Sequence, residues 1–237
     1  MIKHILFDLD GTLLPMSQDK FVECYMTLLS RYFIPHNIKP EALTSAIWKG
    51  VGAMVQNNGE HTNEEVFWNC FTKLIPIERE KMEPLLLDFY NNDFNQVIKV
   101  TRPTTHAAEL IHTLKGAGLK LYLATNPIFP QCATYNRMRW AGLSPEAFEE
   151  ITTYESYHYS KPNVLYFKEL IERFQLNPKE CLMIGNDVEE DMSIQRLGVK
   201  VCLVTDCLEN KNNLPLMADY KISLKELAAK ASGTGYF

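Results

Sequence analysis

Residues 1–12 read MIKHILFDLDGT, an apolar run followed by two acids, a glycine and a threonine. Residues 5–7 are apolar at every position, which is typical of a strand covered on both faces of a parallel sheet. Asp8 and Asp10 follow where that strand ends, and open α/β sheets bind ligands at the carboxyl ends of their strands. Two close carboxylates call for a cation or a shared proton. The stretch therefore predicts an acidic site at a sheet edge, although an acidic turn without function fits so short a pattern equally well.

The composition fits a soluble globular chain. It has 237 residues, of which 46% are hydrophobic, and a net charge of −5, enough for one large domain or two unequal ones. Nothing in this balance calls for nucleic acid or a membrane, and no apolar run is long enough to span a bilayer. Met1 leads into a strand without the features of a signal peptide, so we expect a cytoplasmic protein. The six cysteines are scattered without a CxxC pair, which indicates reduced thiols rather than a zinc site.

Four stretches with helical spacing of their apolar residues follow the first strand. They cover residues 18–33, 40–56, 63–74 and 78–94. No strand pattern interrupts them, and Pro15 and Pro103 lie near the entry and the exit. We therefore expect a helical domain of residues 16–102, inserted directly after the first strand.

Beyond Pro103, short apolar runs alternate with helical patterns, which predicts right-handed crossovers and a parallel sheet. The corresponding domain, the catalytic core, would consist of residues 1–15 and 103–237. The further strands are predicted over residues 119–124, 151–153, 181–184 and 199–204, with a short one near Tyr220, and the helices over residues 104–115, 130–140, 163–174 and 189–197, with a last one reaching Lys230.

Three later groups of polar residues lie at predicted strand ends or before helices. Thr125 and Asn126 follow the second strand and offer a hydroxyl, an amide and backbone N–H groups. Lys161 precedes a helix N-terminus, where a cation is unfavourable unless an anion accompanies it. Residues 185–191, GNDVEED, bring several carboxylates to another strand end, where they could converge with Asp8 on a hard cation such as Mg²⁺. Each group alone also has an explanation without function: Thr125 and Asn126 could form a polar turn, Lys161 could be a solvated lysine, and the acids of residues 185–191 could cap a helix.

Together and in order, residues 8–12, Thr125-Asn126, Lys161-Pro162 and residues 185–191 resemble the four motifs of the haloacid dehalogenase-like superfamily. The resemblance covers the whole chain. It implies an α/β fold with a Rossmann-like three-layer core, a parallel sheet of order 5-4-1-2-3, and a smaller α-helical cap domain over residues 16–102. In this order the first and fourth strands are neighbours, as a cation shared between their ends requires.

The resemblance also implies a role for each acid. Asp8 would be the nucleophile that forms an aspartyl-phosphate, and Asp10 would be the general acid and base. The carboxylates of Asp8 and Asp187 and the backbone carbonyl of Asp10 would hold Mg²⁺. Asp191 would act through a water molecule or orient Lys161.

The remaining motif residues would bind the phosphoryl group. The resemblance assigns this role to Thr125, the backbone N–H of Asn126 and Lys161, whose donors and charge suit an anionic substrate. The dehalogenases of the superfamily lack an acid at the position of Asp10, and phosphonate-cleaving relatives have alanine there. The presence of Asp10 therefore favours the hydrolysis of phosphate esters or phosphomutase chemistry.

The last motif departs from the common Gly-Asp pattern. Asn186 intervenes between the glycine and Asp187, while the four-residue step from Asp187 to Asp191 has the usual spacing. The alignment on Asp187 leaves a contribution from Glu189 or Glu190 open.

The helical domain would contact the leaving group of the substrate. Lys49, Gly50 and Gly52 form either a specificity loop that brings a lysine to the substrate or a simple irregularity of a helix. The aromatic residues nearby have helical spacing, so we expect them in the core of this domain. They are Trp48, Phe67, Trp68 and Phe71.

The function that this pattern favours is that of a Mg²⁺-dependent phosphatase acting on a small phosphorylated metabolite, without a nucleic-acid or membrane partner. The oligomeric state is not readable from the sequence. Two alternatives stay open. A phosphomutase would use the same residues. A non-catalytic interaction module could share the fold, but such modules have usually lost the nucleophile or the acid, and both are present here.

Overall fold

The computed structural model describes residues 1–233 and contains one parallel sheet of six strands. Its strands are β1 (His4–Phe7), β2 (Lys120–Leu123), β3 (Glu150–Ile151), β4 (Cys181–Gly185), β5 (Lys200–Val204) and β6 (Tyr220–Ile222). Their order in the sheet is β3-β2-β1-β4-β5-β6, and every neighbouring pair is parallel. The predicted order of the first five strands is confirmed, and the short strand predicted near Tyr220 extends the sheet beside β5.

Four α-helices lie between β1 and β2 along the chain. They are α1 (Gln18–Phe33), α2 (Pro40–Val55), α3 (Asn63–Phe71) and α4 (Arg79–Asn91), and a 3-10 helix covers Asp93–Val100. We call α1 to α4 the inserted helices. In helix α1 the apolar residues recur every three to four positions, so they lie on one face of the helix, and five of them are buried. Burial of this face stabilises the helix. At the start of α3, Thr62 and Glu65 form a capping box, which satisfies N–H groups of the first turn.

Four further α-helices accompany the later strands. They are α5 (Thr105–Gly116), α6 (Gln131–Trp140), α7 (Val164–Arg173) and α8 (Leu224–Ser232). On β1, Ile5 and Phe7 belong to one buried apolar cluster and Leu6 belongs to the other. Both faces of the central strand are therefore covered, as the continuous apolar run predicted and as a three-layer α/β fold requires. Among residues 1–233, no helix is both long and apolar enough to cross a bilayer.

One local prediction is wrong. The pattern predicts a helix over residues 189–197, but the chain forms a turn there and then a 3-10 helix, Met192–Leu197. The Oδ1 atom of Asp187 accepts hydrogen bonds from the N–H groups of Glu189 and Glu190, both at 2.8 Å. Such bonds from a side chain compete with the regular helical pattern.

The glycines of α2 decide between the two alternatives that the sequence leaves open. Helix α2 runs without interruption through Lys49, Gly50 and Gly52, so these residues do not form a specificity loop, and Lys49 is exposed. A Cβ atom on Gly50 would lie only 2.6 Å from the ring of Phe67. The glycine at this position therefore allows α2 and α3 to pack closely.

The register of the central strands aligns the ends on which the site depends. Phe7 is paired with Leu123 of β2 and with Ile184 of β4. Beyond the strands, the N–H of Asp8 donates to the carbonyl of Ile184 at 2.9 Å, and the N–H of Ala124 donates to the carbonyl of Phe7 at 2.7 Å. The residues that follow β1, β2 and β4 therefore meet at one edge of the sheet.

Candidate active site

Asp8 lies at this edge and is almost completely buried. Its Oδ1 atom accepts a hydrogen bond from Nζ of Lys161 at 2.8 Å, and its Oδ2 atom accepts one from the hydroxyl of Thr12 at 3.2 Å. The sharp turn after Asp10 uses Gly11 at a φ of +86°, a conformation that glycine adopts without strain. The turn brings the hydroxyl of Thr12 back toward the carboxylate of Asp8.

Lys161 links two carboxylates inside the protein. Its ammonium group has no exposed surface and lies 2.8 Å from Asp8 and 2.6 Å from Oδ1 of Asp191. Burial alone would lower the pKa of Lys161, but the carboxylates of Asp191 and Asp8 outweigh it and hold the pKa well above its usual value. The site thus contains a permanent positive charge beside the carboxylate of Asp8.

Asp10 pairs with an arginine that lies outside the four motifs. The Nη1 atom of Arg137, on α6, donates to Oδ2 of Asp10, while Oδ1 of Asp10 is buried and has no hydrogen-bond partner among the described residues. Burial raises the pKa of Asp10, the Arg137 guanidinium opposes this rise, and the charge of Asp8 adds to it. Burial is the larger effect, so the pKa of Asp10 lies above its ordinary value.

Arg137 is itself buried and held from several sides. Its Nη2 atom donates to the hydroxyl of Thr134 at 3.2 Å, and its guanidinium carbon lies 4.4 Å from the ring centre of Phe129. One signal could have identified it. Arg137 follows the buried Ala133 by four positions and precedes the buried Trp140 by three, so it lies on the inner face of α6.

Thr125 and Asn126 lie on the loop after β2. The carbonyl of Thr125 accepts hydrogen bonds from the hydroxyls of Thr152 at 2.6 Å and Tyr166 at 3.0 Å, which fix the loop. The Oδ1 atom of Asn126 accepts a bond from the backbone N–H of Lys161 at 3.2 Å, and its Nδ2 atom donates to Glu190 at 3.2 Å. The side chain of Asn126 therefore joins the loops that carry the lysine and the acidic turn.

The acidic turn after β4 presents both Asn186 and Asp187 to the site. The Oδ1 atom of Asn186 accepts a hydrogen bond from the hydroxyl of Thr12 at 2.9 Å, and its Nδ2 atom donates to the carbonyl of Cys207 at 2.6 Å. A Cβ atom on Gly11 would collide with this amide. Asn186 is thus a structural partner of the first motif, a role that its position between Gly185 and Asp187 does not predict.

Asp191 and Glu190 complete the acidic turn. Asp191 accepts the N–H of Asp187 at 3.0 Å and, as described above, the ammonium group of Lys161. Asp191 therefore contacts the lysine directly, as one of its two predicted roles requires. Burial raises the pKa of Glu190 to about 8, although the charge of Lys161 lowers it. Glu190 holds Asn126 and is a second residue of this turn in contact with the predicted phosphate-binding loop.

The fit of a metal ion rests on oxygen donors. Residues 1–233 contain no group of three or more His, Cys, Asp and Glu side chains that could hold a metal ion by themselves. The predicted set instead combines two carboxylates, of Asp8 and Asp187, with the backbone carbonyl of Asp10, and no hydrogen bond among the described residues uses that carbonyl. Oxygen atoms of this kind, completed by water, are the ligands that Mg²⁺ prefers. The residues present therefore fit Mg²⁺.

These residues border a cavity of about 750 Å³ that extends under the inserted helices. Its site end is lined by the predicted residues Asp8, Asp10, Thr125, Asn126, Asp187 and Asp191, together with Arg137. At the other end, Phe67 and Trp68 are buried, as predicted, but they also line the cavity. The prediction for Trp48 is wrong, because its side chain lines the cavity and is 49% exposed.

Comparison with known proteins identifies the class of protein. The haloacid dehalogenase-like hydrolase family matches residues 5–204. The chain belongs to this family, and the predicted resemblance is confirmed. It is therefore an enzyme, a hydrolase.

Two curated relatives are similar over most of the chain. The chain is 27% identical over 195 residues to a glyceraldehyde 3-phosphate phosphatase of Methanocaldococcus jannaschii, covering 81% of this chain and 79% of the relative. It is 25% identical over 208 residues to a phosphoglycolate phosphatase of Nitrosospira multiformis, with coverage of 86% and 83%. Both relatives are named as phosphatases, in agreement with the predicted enzyme class.

Solved structures confirm the fold. A HAD phosphatase from Thermococcus onnurineus superimposes with a TM-score of 0.60 at 22% identity, covering 98% of this chain and 99% of the other. The HAD-hydrolase YfnB from Bacillus subtilis, described as bound to magnesium, gives a TM-score of 0.56 at 22% identity, with coverage of 98% and 99%. At this level of identity the likeness shows the shared α/β architecture.

Proposed function

We propose that the chain is a Mg²⁺-dependent phosphatase that hydrolyses a small phosphorylated metabolite through an aspartyl-phosphate. The observation that carries this proposal is the buried ion pair between Asp8 and Lys161, with Asp10 two residues further on at the same sheet edge. Phosphoryl transfer demands mainly the positioning of a nucleophile and the neutralisation of charge. A lysine fixed 2.8 Å from a carboxylate supplies both.

In the first step, a carboxylate oxygen of Asp8 attacks phosphorus, and the bond from phosphorus to the ester oxygen breaks. Asp10, whose pKa burial raises, gives its proton to the departing oxygen. In the second step, Asp10 takes a proton from water as this water attacks the phosphorus of the aspartyl-phosphate. Inorganic phosphate leaves, and the carboxylate of Asp8 is restored.

The other residues bind and orient. Lys161, the hydroxyl of Thr125 and the backbone N–H of Asn126 would bind the non-bridging oxygens of the phosphoryl group. Mg²⁺, held by the carboxylates of Asp8 and Asp187 and the carbonyl of Asp10, would offset the negative charges of nucleophile and substrate. Asp191 orients Lys161 through their contact at 2.6 Å.

Two domains follow from this assignment. We propose that residues 1–15 and 103–237 form the catalytic core and that residues 16–102 form a cap domain over the site. The supporting observation is the cavity, whose walls combine residues that follow β1, β2 and β4 with residues of the inserted helices. A cover of this kind excludes water from the reacting groups.

The test is a phosphate-release screen with the purified chain and Mg²⁺ over sugar phosphates, nucleotides and phosphorylated amino acids. We expect release from at least one class, its loss in EDTA, and its return with added Mg²⁺. Detection of an isomer of a sugar phosphate instead of free phosphate would identify a phosphomutase. Absence of turnover across the panel and on the apolar esters tested below would refute the proposal.

A further inference from the structure

The cavity beyond the phosphoryl-binding residues is apolar and aromatic. Each inserted helix contributes to its wall, with Phe21 and Tyr25 from α1, Trp48 from α2, Phe67 from α3 and Leu86 from α4. Its volume of about 750 Å³ lies within the range of pockets that enclose drug-sized ligands. A phosphate ester of two or three carbon atoms would leave most of this wall without contact.

The charges on the wall are mainly negative. The inserted helices contribute the acids Asp19, Glu23 and Glu83 to the lining, and Glu83 is paired with Arg79 at 2.9 Å. Two cations line the cavity within the described part of the chain. Arg137 is paired with Asp10, and Lys211 is largely exposed and lies 3.6 Å from Asp19.

This charge distribution disfavours a second anionic group on the substrate. A carboxylate or a second phosphate that enters the cavity loses its hydration, and this loss is costly unless a cation or several donors replace the water. The buried guanidinium of Arg137 is already paired with the carboxylate of Asp10. Glu23, which forms no ion pair among the described residues, would repel an added negative charge. A neutral leaving group avoids both costs.

Trp48 gives a second indication. Its indole is 49% exposed although it lines the cavity, whereas the aromatic rings of Phe21 and Phe67 are buried. A large apolar ring that borders a cavity offers a surface that an apolar ligand can cover.

We propose, on the basis of the proposed phosphatase function, that the substrates are phosphate monoesters of uncharged, apolar alcohols of at least the size of one aromatic ring. The phosphoryl group lies at Asp8, and the apolar part of the leaving group lies against Trp48 and the aromatic residues of α1. Esters that carry a second negative charge, such as phosphoglycolate, are poor substrates.

Three esters of primary alcohols test the inference: 2-phenylethyl phosphate, ethyl phosphate and phosphoglycolate, each measured as kcat/KM for phosphate release with Mg²⁺. We expect 2-phenylethyl phosphate to exceed ethyl phosphate by about tenfold or more, because even one additional methylene group in an apolar pocket is worth about tenfold. Phosphoglycolate should fall below ethyl phosphate.

A pair of variants on α2 locates the effect. Trp48→Ala should lower the ratio of kcat/KM between 2-phenylethyl phosphate and ethyl phosphate by about tenfold, since it removes a large part of the apolar wall. Val55→Ala is the matched control, because Val55 lies on the same helix, is 44% exposed and is not part of the cavity wall. It should leave the ratio unchanged.

The outcomes separate the two proposals. Equal kcat/KM for the three esters, a preference for phosphoglycolate, or an unchanged ratio in Trp48→Ala would overturn the inference while the phosphatase function stands. Failure to release phosphate from every ester tested, here and in the screen above, would overturn both.

Discussion

The ion pair between Arg137 and Asp10 makes a quantitative prediction about stability. Replacement of Arg137 by methionine keeps a long side chain but removes the charge that compensates Asp10. The side chains of Arg137 and Asp10 are only 1% and 15% exposed. Breaking a buried ion pair from one side costs about 3 to 5 kcal/mol, because the remaining charge is left without a partner.

This cost is large enough to measure by thermal unfolding. For a chain of this size, each kcal/mol lowers the melting temperature by about 2 to 4 °C, so Arg137→Met should melt about 6 to 20 °C below the wild type. The assay is circular dichroism at pH 7 in EDTA, which removes any contribution of a bound metal. Arg31→Met on α1 is the control, because Arg31 is exposed and forms no ion pair among the described residues, and its shift should stay within about 2 °C.

A double variant isolates the pair. Asp10→Asn removes the charge that Arg137→Met leaves unpaired, so the double variant should be more stable than the sum of the two single effects implies. A melting temperature of Arg137→Met within 2 °C of the wild type would refute the reasoning. Strictly additive effects of the two substitutions would refute it as well.

Further predictions concern the metal and the thiols. Asp187→Asn should raise the Mg²⁺ concentration needed for half-maximal phosphate release by about tenfold or more, since a carboxylate binds this cation better than an amide. If this Mg²⁺ concentration is unchanged in Asp187→Asn but raised in Asn186→Ala, Asn186 and not Asp187 binds the metal. Burial raises the pKa of Cys132 to about 11 and that of Cys181 and Cys202 to about 12. At pH 8 these thiols should therefore resist iodoacetamide in the native chain and react after unfolding, which peptide mass spectrometry measures; rapid native labelling would contradict their burial.

Sequence patterns predict those helices and strands that are determined by residues close together in the chain. The apolar run of β1 and the spacing of α1 determine their own elements, and the predicted bounds of α1 agree with the observed Gln18–Phe33. The motif residues could be placed at one sheet edge because parallel strands all end on the same side. The structure brings Asp8, Lys161 and Asp191 into direct contact there.

The contacts that were missed depend on packing between distant segments. Arg137 and Arg139 both stand on α6, and only the orientation of the helix against Asp10 decides which of them is buried. Likewise, the role of Asn186 depends on its approach to Thr12 across two neighbouring strands. The spacing from Ala133 and Trp140 indicates the side of α6 on which Arg137 lies but not its partner, and the contact of Asn186 has no pattern in the residues beside it.

The same reason explains the difference at Trp48. Helical spacing shows that a residue belongs to the apolar side of a helix, but it does not distinguish a packed core from the wall of a cavity. That distinction depends on how far the inserted helices stand from the sheet edge.

The most direct test of the account is phosphate release by Asp8→Asn, compared with the wild type on the best ester of the screen and with Mg²⁺ present. The substitution keeps the size of the side chain and removes the nucleophilic carboxylate. The account predicts loss of turnover to the background level in a variant that still unfolds cooperatively, and a phosphoryl group on the peptide that contains Asp8 in acid-quenched wild-type enzyme. Turnover by Asp8→Asn near the wild-type rate would contradict it.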